Sequence, residues 1–132
     1  MELITSLTNA KVKMALSLQQ KKYRDKYQLF ILEGIRNAEM VIAKNISVQM
    51  CFFTQKAFTN ERGKSILEQL NCPCFEIPEH IYQKISDTQS PQGLMLILPI
   101  QNHNLDDLAT INKSGLYLIL DRLQDPGNIG TI

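Results

Sequence analysis

Long apolar runs are missing from the 132 residues. The longest, residues 94–98 and 116–120, have the length of a strand, whereas a membrane-crossing helix needs about 18 apolar residues. A secretory leader is not expected, since polar residues recur from Met1-Glu2 onward in place of an apolar run. Cysteine is scarce. Three cysteines, an odd number without framework spacing, argue for a reducing compartment and against a disulfide scaffold. Cys72-Pro73-Cys74 with His80 invites a zinc reading. Tetrahedral zinc takes four ligands, Cys51 is the one remaining thiol, and Cys74 falls in a predicted strand. No metal is therefore expected. His80 and His103 stand alone, without an evident nucleophile–base partner. Neither a Walker loop nor a three-glycine dinucleotide motif occurs, and there is no internal repeat or low-complexity tract. The expectation is a cytoplasmic protein with no membrane partner.

What is present is an ordinary globular mix, 44% hydrophobic and 20% charged. Disorder over the whole length is excluded, because there is ample apolar side chain to bury. The net charge of +1 conceals an asymmetry. Residues 1–36 hold seven bases (Lys11, Lys13, Lys21, Lys22, Arg24, Lys26, Arg36) against Glu2, Asp25 and Glu33. The rest of the chain holds seven bases and ten acids. A local basic block attracts phosphate even when the global balance is neutral. A solvated helix face gives the same composition, and charge alone leaves both readings open.

The pattern alternates. Thr8-Asn9 is a helix start, and residues 10–24 carry Val12, Ala15 and Leu16 on one stripe. Residues 29–33 read as a buried strand, Gly34 breaks the period, and residues 35–44 return to helical spacing. Strands are predicted at 46–54, 74–77 and 93–98, and helices at 60–69 and 79–86. Phe52, Phe53, Phe58 and Phe75 lie in or beside apolar segments and are expected in the core. Helices alternating with strands imply a three-layer α/β/α domain around a mostly parallel sheet. Residues 99–114 are polar and turn-rich and read as a linker. Residues 116–121 read as a new strand that opens a second domain. Its dozen or so residues are too few for a core of their own, so the chain is expected to be a piece of a longer protein. The domain organisation expected is 1–98, a linker at 99–114, and the start of a further domain at 115–132.

Asp125-Pro126-Gly127-Asn128-Ile129-Gly130 follows that strand. Proline fixes one φ angle and the glycines permit positive φ. The segment would aim backbone N–H groups and the Asn128 side chain at a strand's carboxyl edge, where open α/β sheets bind ligands. A plain strand-to-helix turn satisfies the same pattern. Glu33-Gly34 is placed at another strand-to-helix junction, with Lys22, Arg24 and Arg36 as phosphate-positioning candidates. Gln89, Ser90 and Gln92 offer donors and acceptors that suit unpaired bases, or a plain polar turn.

Residues 120–132, Leu-Asp-Arg-Leu-Gln-Asp-Pro-Gly-Asn-Ile-Gly-Thr-Ile, closely resemble the first motif of the SpoU/TrmH family of RNA ribose 2′-O-methyltransferases, in the SPOUT superfamily. Ile4-Thr5-Ser6-Leu7-Thr8-Asn9 with Lys11, Lys22-Tyr23-Arg24, Phe30-Ile31-Leu32-Glu33-Gly34 with Arg36, and Ser86-Asp87-Thr88-Gln89-Ser90-Pro91-Gln92-Gly93 resemble that family's substrate-binding domain, in the same order. The resemblance implies an N-terminal RNA-gripping domain similar to kink-turn-binding ribosomal proteins, followed by a knotted methyltransferase domain. Residues 1–98 would then bind RNA through Lys22, Arg24, Glu33, Gly34, Arg36, Gln89, Ser90 and Gln92. Residues 115–132 would carry the first strand of the knotted domain. Asn128 would take an orienting role in catalysis, its partner arginine lying beyond Ile132. S-adenosylmethionine is implied for the full-length parent and is not expected on this chain alone, which would bind RNA without catalysing transfer. Structured RNA is the implied partner, rRNA ahead of tRNA, and the parent is implied to dimerise through its C-terminal domain. Two readings from other classes stand beside this one: a stand-alone RNA-binding module of the ribosomal-protein type, and a small nucleotide-binding domain. A binding module has no use for the Asp125–Thr131 string, and a nucleotide-binding domain lacks its phosphate loop here.

Overall fold

A computed structural model of the chain describes residues 1–102, 115–122 and 129–131. The chain divides into two compact units, Met1–Gln101 and Asn102–Ile132. The first begins with β1 (Glu2–Leu3), a two-residue strand too short to announce itself in the sequence. Asn9 caps α1 (Ala10–Ser17) by accepting from the Lys11 N–H at 2.9 Å. The helix expected to continue to Arg24 breaks instead at Leu18, the last apolar residue of its buried stripe. It resumes as α2 (Lys21–Tyr27), which contributes no buried residue and ends where Gln28 turns to φ +53°.

β2 (Leu29–Glu33) occupies the five residues expected of it, and Gly34 at φ +100° turns the chain into α3 (Ile35–Ala43). β3 (Met50–Phe53) is shorter than its β-branched run suggested. α4 (Gln55–Thr59) precedes α5 (Glu61–Gln69), whose cap Asn60 accepts from the Arg62 and Gly63 N–H groups. β4 (Cys74–Glu76), α6 (Glu79–Ile85) and β5 (Leu94–Pro99) complete the unit.

The sheet order is β1-β4-β3-β5-β2. β1, β3 and β4 pair in parallel, whereas β5 pairs antiparallel with both β3 and β2. Four strands therefore share one direction, as the alternation predicts, and β5 alone opposes them. Because β5 lies inside the sheet, half of the pairings are antiparallel, and the expected mostly parallel sheet is a mixed one. The cause lies in residues 86–93. They return the chain to the carboxyl ends of β2 and β3 instead of crossing the sheet, so that Leu94 lies opposite Phe53 and Met95 opposite Glu33.

Strand alternation divides the core between the two faces. Phe52, Met95 and Ile97 pack with Val12, Ala15 and Leu18 of the α1 region and Ile81, Tyr82 and Ile85 of α6. Cys51, Phe53, Leu94, Leu96 and Leu98 pack with Ile35, Ala38 and Val41 of α3, Ala57 of α4, and Ile66 and Leu67 of α5. The arrangement is three layers, and each fully buried large side chain contributes about 1.5–3 kcal/mol. Phe52 and Phe75 lie in this core as expected, whereas Phe58 is partly exposed and touches Phe53 at its edge, 6.2 Å between centroids.

Thr54 is buried, and among the described residues its hydroxyl is the one buried side-chain polar group without a hydrogen-bond partner. A buried unsatisfied hydroxyl costs about 1–3 kcal/mol. Thr54→Val, which keeps the shape, is expected to raise the unfolding free energy by about 1 kcal/mol. A urea titration that shows a loss of stability would contradict this account.

In the second unit, residues 115–121 have no regular secondary structure, and Leu116, Leu118 and Ile119 are exposed. The strand expected at 116–121 is thus not formed. A strand needs a partner for its backbone groups, and all five strands of the sheet come from residues 2–99. Of the turn expected at Asp125–Gly130, residues 125–128, with Asn128, lie outside the described residues.

Candidate nucleic-acid interface

The carboxyl ends of β2 and β3 gather the chemistry. Glu33 ends β2 with its carboxylate turned toward residues 86–88. The Ser86 hydroxyl donates to Glu33 Oε2 at 2.7 Å, the Tyr82 and Thr88 hydroxyls at 3.3 Å each, and the Asp87 N–H donates to Oε1 at 3.0 Å. A charged acceptor makes each such bond stronger than a neutral one. Burial, and then the charge of Glu33, hold the Tyr82 phenol well above its ordinary range, so it stays a proton donor. Glu33 is therefore a loop anchor, and four donors from one short segment converge on it.

Gly34 comes next. Its N–H donates to Leu94 O at 3.0 Å, and its φ of +100° is one that L side chains rarely adopt. Having no side chain, it cannot cap α3, and Gln92 does so from across the loop. The Gln92 side-chain carbonyl accepts from the Ile35 N–H at 2.8 Å. Asn37 secures the same corner by donating its amide to Glu33 O at 2.7 Å. Glu33, Gly34, Arg36, Asn37, Thr88, Ser90 and Gln92 line an open cleft of about 310 Å³. Five of the eight residues assigned to RNA binding from the sequence thus share one cleft. Gln89 lies exposed in the same loop but does not line it.

Lys22 and Arg24 sit on α2, apart from the cleft lining. Arg24 is half-buried, and its Nη1 donates to the carbonyls of Leu18 (2.9 Å) and Gln19 (2.8 Å), closing the end of α1. Gln19 in turn donates its amide to the carbonyls of Lys84 and Ile85. The next residue is Ser86, which Glu33 holds. A relay of side chains therefore ties α2 to the cleft loop. Gln19, Asn37 and Tyr82 were absent from the sequence reading, and Ser86 and Thr88 entered it only within the 86–93 string, with no role assigned. Only the Ser-Asp-Thr string after an apolar helix hinted at them, and Ser86 does close a turn by accepting from the Thr88 N–H at 3.2 Å.

Arg36 is exposed at the cleft. The neighbouring acid Glu39 is occupied by Arg62, whose Nε and Nη2 donate to its two oxygens at 2.8 and 2.6 Å. That pairing lowers the Glu39 pKa below the usual carboxylate range and offsets its repulsion of an anion. With one guanidinium, two carboxamides and two hydroxyls, beside a Glu33 carboxylate already engaged by the facing loop, the cleft suits phosphate and sugar hydroxyls. Among the described residues no cluster of three or more metal-ligating side chains occurs. Cys51 and Cys74 face each other across β3 and β4, and the Cys74 sulfur and burial keep the Cys51 thiol protonated.

Residues 9–96 match the family described as the MRM3-like substrate binding domain. The chain is 31% identical over 117 residues to the mitochondrial rRNA methyltransferase 3 of Xenopus laevis, covering 86% of this chain and 27% of that one. It is 30% identical over 132 residues to the 23S rRNA (guanosine(2553)-2′-O)-methyltransferase RlmP of Bacillus subtilis (strain 168), covering 100% of this chain and 49% of that one. It therefore spans between about a quarter and a half of these relatives' length. The fold is similar to that of a crystallised RNA 2′-O ribose methyltransferase, with a TM-score of 0.68, 24% identity, and coverage of 78% of this chain and 39% of the other. It is also similar to that of the SpoU methyltransferase AviRb of Streptomyces viridochromogenes, solved with AdoMet, with a TM-score of 0.64, 12% identity, and coverage of 74% and 38%.

Proposed function

Since the chain belongs to the MRM3-like substrate-binding domain family, we propose that it is the RNA-holding part of an S-adenosylmethionine-dependent RNA (ribose-2′-O)-methyltransferase. The observation that carries this reading is the cleft at the carboxyl edge of β2, with Arg36 exposed and the facing loop fixed by Glu33. A nucleophile as weak as a ribose hydroxyl must be placed in line with its methyl donor. A domain that grips RNA supplies that placement while the chemistry is done elsewhere. In this reading residues 1–98 are the RNA-binding domain, 99–114 a linker, and 115–132 the opening of the catalytic domain, where Asn128 orients the active site. The chain alone binds RNA without turnover. The whole enzyme uses S-adenosylmethionine, dimerises through its catalytic domain, and acts in the cytoplasm on structured RNA, rRNA ahead of tRNA. Arg36 and Lys22 contact phosphate, Ser90, Gln89 and the Gln92 amide meet sugar or base, and Gly34 allows the backbone of the RNA to come close.

The test is a salt-dependent titration of a structured ribosomal RNA fragment. Each phosphate contact on a single strand contributes about −0.7 to the slope of log K against log salt. Lys22→Ala with Arg36→Ala is expected to flatten that slope by roughly 1.4. Both side chains are exposed, so circular dichroism should find the fold intact. Arg24 is left in place because it closes α1. An unchanged slope and affinity would remove these residues from the RNA surface.

A further inference from the structure

The feature left unexplained by the cleft is α2. None of its residues is buried, so it adds nothing to the core. Seven residues do not hold a helix by themselves. This one is tied down by the Arg24 bonds to Leu18 and Gln19, by the Gln28 amide donating to Asp25 O at 2.7 Å, and by the left-handed turn at Gln28. What that anchored element presents is two tyrosines one turn apart. The Tyr23 and Tyr27 rings stack with centroids 6.2 Å apart and planes 14° from parallel, and Tyr27 is 41% exposed. Lys22 Nζ lies 4.7 Å from the Tyr23 centroid and Lys26 Nζ 5.3 Å from that of Tyr27. With Lys21 and Arg24, four bases stand against the single acid Asp25.

We propose that α2 is a stacking platform for unpaired nucleobases of a single-stranded RNA segment next to the RNA held in the cleft, a proposal that rests on the RNA-binding reading. A ring pair at this spacing stabilises a helix by only a few tenths of a kcal/mol, and other pairs do that without exposing aromatic surface. Stacking on a nucleobase uses the exposed ring directly, and it is tolerant of sequence because every base has a π-face. Lys22 and Lys26 each lie over a tyrosine ring. When a base slides onto a tyrosine, the flexible ammonium swings from the ring to the phosphate of the same strand, exchanging a weak cation–π contact for a charge-assisted one. The partner is single-stranded, since a paired A-form helix keeps its base faces stacked inside. The basic charge on the same helix is complementary to its backbone.

The experiment is fluorescence anisotropy with three labelled probes: a short oligouridylate, the same oligomer with abasic riboses, and a short RNA duplex. Tyr23→Leu with Tyr27→Leu, which keeps bulk and helix propensity, is expected to weaken the oligouridylate by roughly 5- to 150-fold. The salt slope and the duplex affinity should stay unchanged. Wild type should lose a similar factor on the abasic oligomer, a measurement that needs no variant to fold. The leucine variant should not distinguish the two oligomers, and Tyr27→Phe should bind as wild type does. If wild type binds the abasic and intact oligomers equally, or the leucine variant binds the oligouridylate normally, the platform is refuted while the cleft reading stands. If wild type binds no RNA at any salt concentration, both fail together.

Discussion

Gly93→Ala is expected to lower the unfolding free energy by about 3–5 kcal/mol, a large share of a small domain's typical ~5–15. Two independent costs meet at this residue. Its φ is +77°, which an L side chain reaches only under strain. A Cβ would also lie 2.3 Å from Thr54 Oγ1 and 3.3 Å from Ala57 N. Neither neighbour retreats easily, because Thr54 is buried and its N–H donates to Gly93 O at 2.8 Å. At Gly34 the conformation is equally unfavourable, but the nearest atom is the Gln92 side-chain oxygen at 3.2 Å. Gly34→Ala should therefore cost less, about 1–3 kcal/mol. Urea titrations followed by circular dichroism rank the two. Equal losses, or a loss below about 1 kcal/mol at Gly93, would show that the loop yields more readily than its contacts imply.

Glu33→Ala is expected to cost about 3–4 kcal/mol and to weaken RNA binding at the same time. The substitution removes the acceptor of four donors, one of them the hydroxyl of the fully buried Tyr82. Glu33→Gln keeps the length and one acceptor oxygen, and it should lose about half as much. The distinguishing readout is local. The Asp87 amide donates to Glu33 in wild type, and its hydrogen exchange should accelerate in both variants beyond what the global stability accounts for. If Glu33→Ala exchanges slowly at Asp87 and binds RNA as wild type does, the loop is held by other means.

Much of the fold was legible because its signals are local. Gln28 and Gly34 bracket β2, so a short apolar run between a polar residue and a helix breaker set both ends correctly. Asn9 announced its helix through the capping chemistry it performs, whereas Asn60, read as the first residue of its helix, is in fact the cap. The break between α1 and α2 was not legible, because it depends on Arg24 reaching back to Leu18 and Gln19. Strand direction was not legible either. Periodicity reports which face a residue takes, and the path of residues 86–93 decides which way β5 runs. The site divides along the same line. Residue type pointed to Glu33, Gly34, Arg36, Ser90 and Gln92, and the cleft unites them. The partners of Glu33 lie 49 to 55 residues away in sequence, and no local pattern encodes such pairs. Gln92 was read as a group for bases, whereas its oxygen is spent on the α3 N-terminus.

The place of β5 also governs when this unit can assemble. It is the last strand of the unit to leave the ribosome, yet it lies between β3 and β2. Until Pro99 has been synthesised, β2 has no strand to bond with, and Phe52 and Phe53 lack the neighbours opposite them, Met95 and Leu94. The nascent chain therefore holds β1, β3 and β4 as one candidate ribbon and β2 as a bare edge, an aggregation-prone state that a single late insertion ends. Both halves of the sheet become native in the same event, and the cleft loop, which delivers β5, is positioned by it.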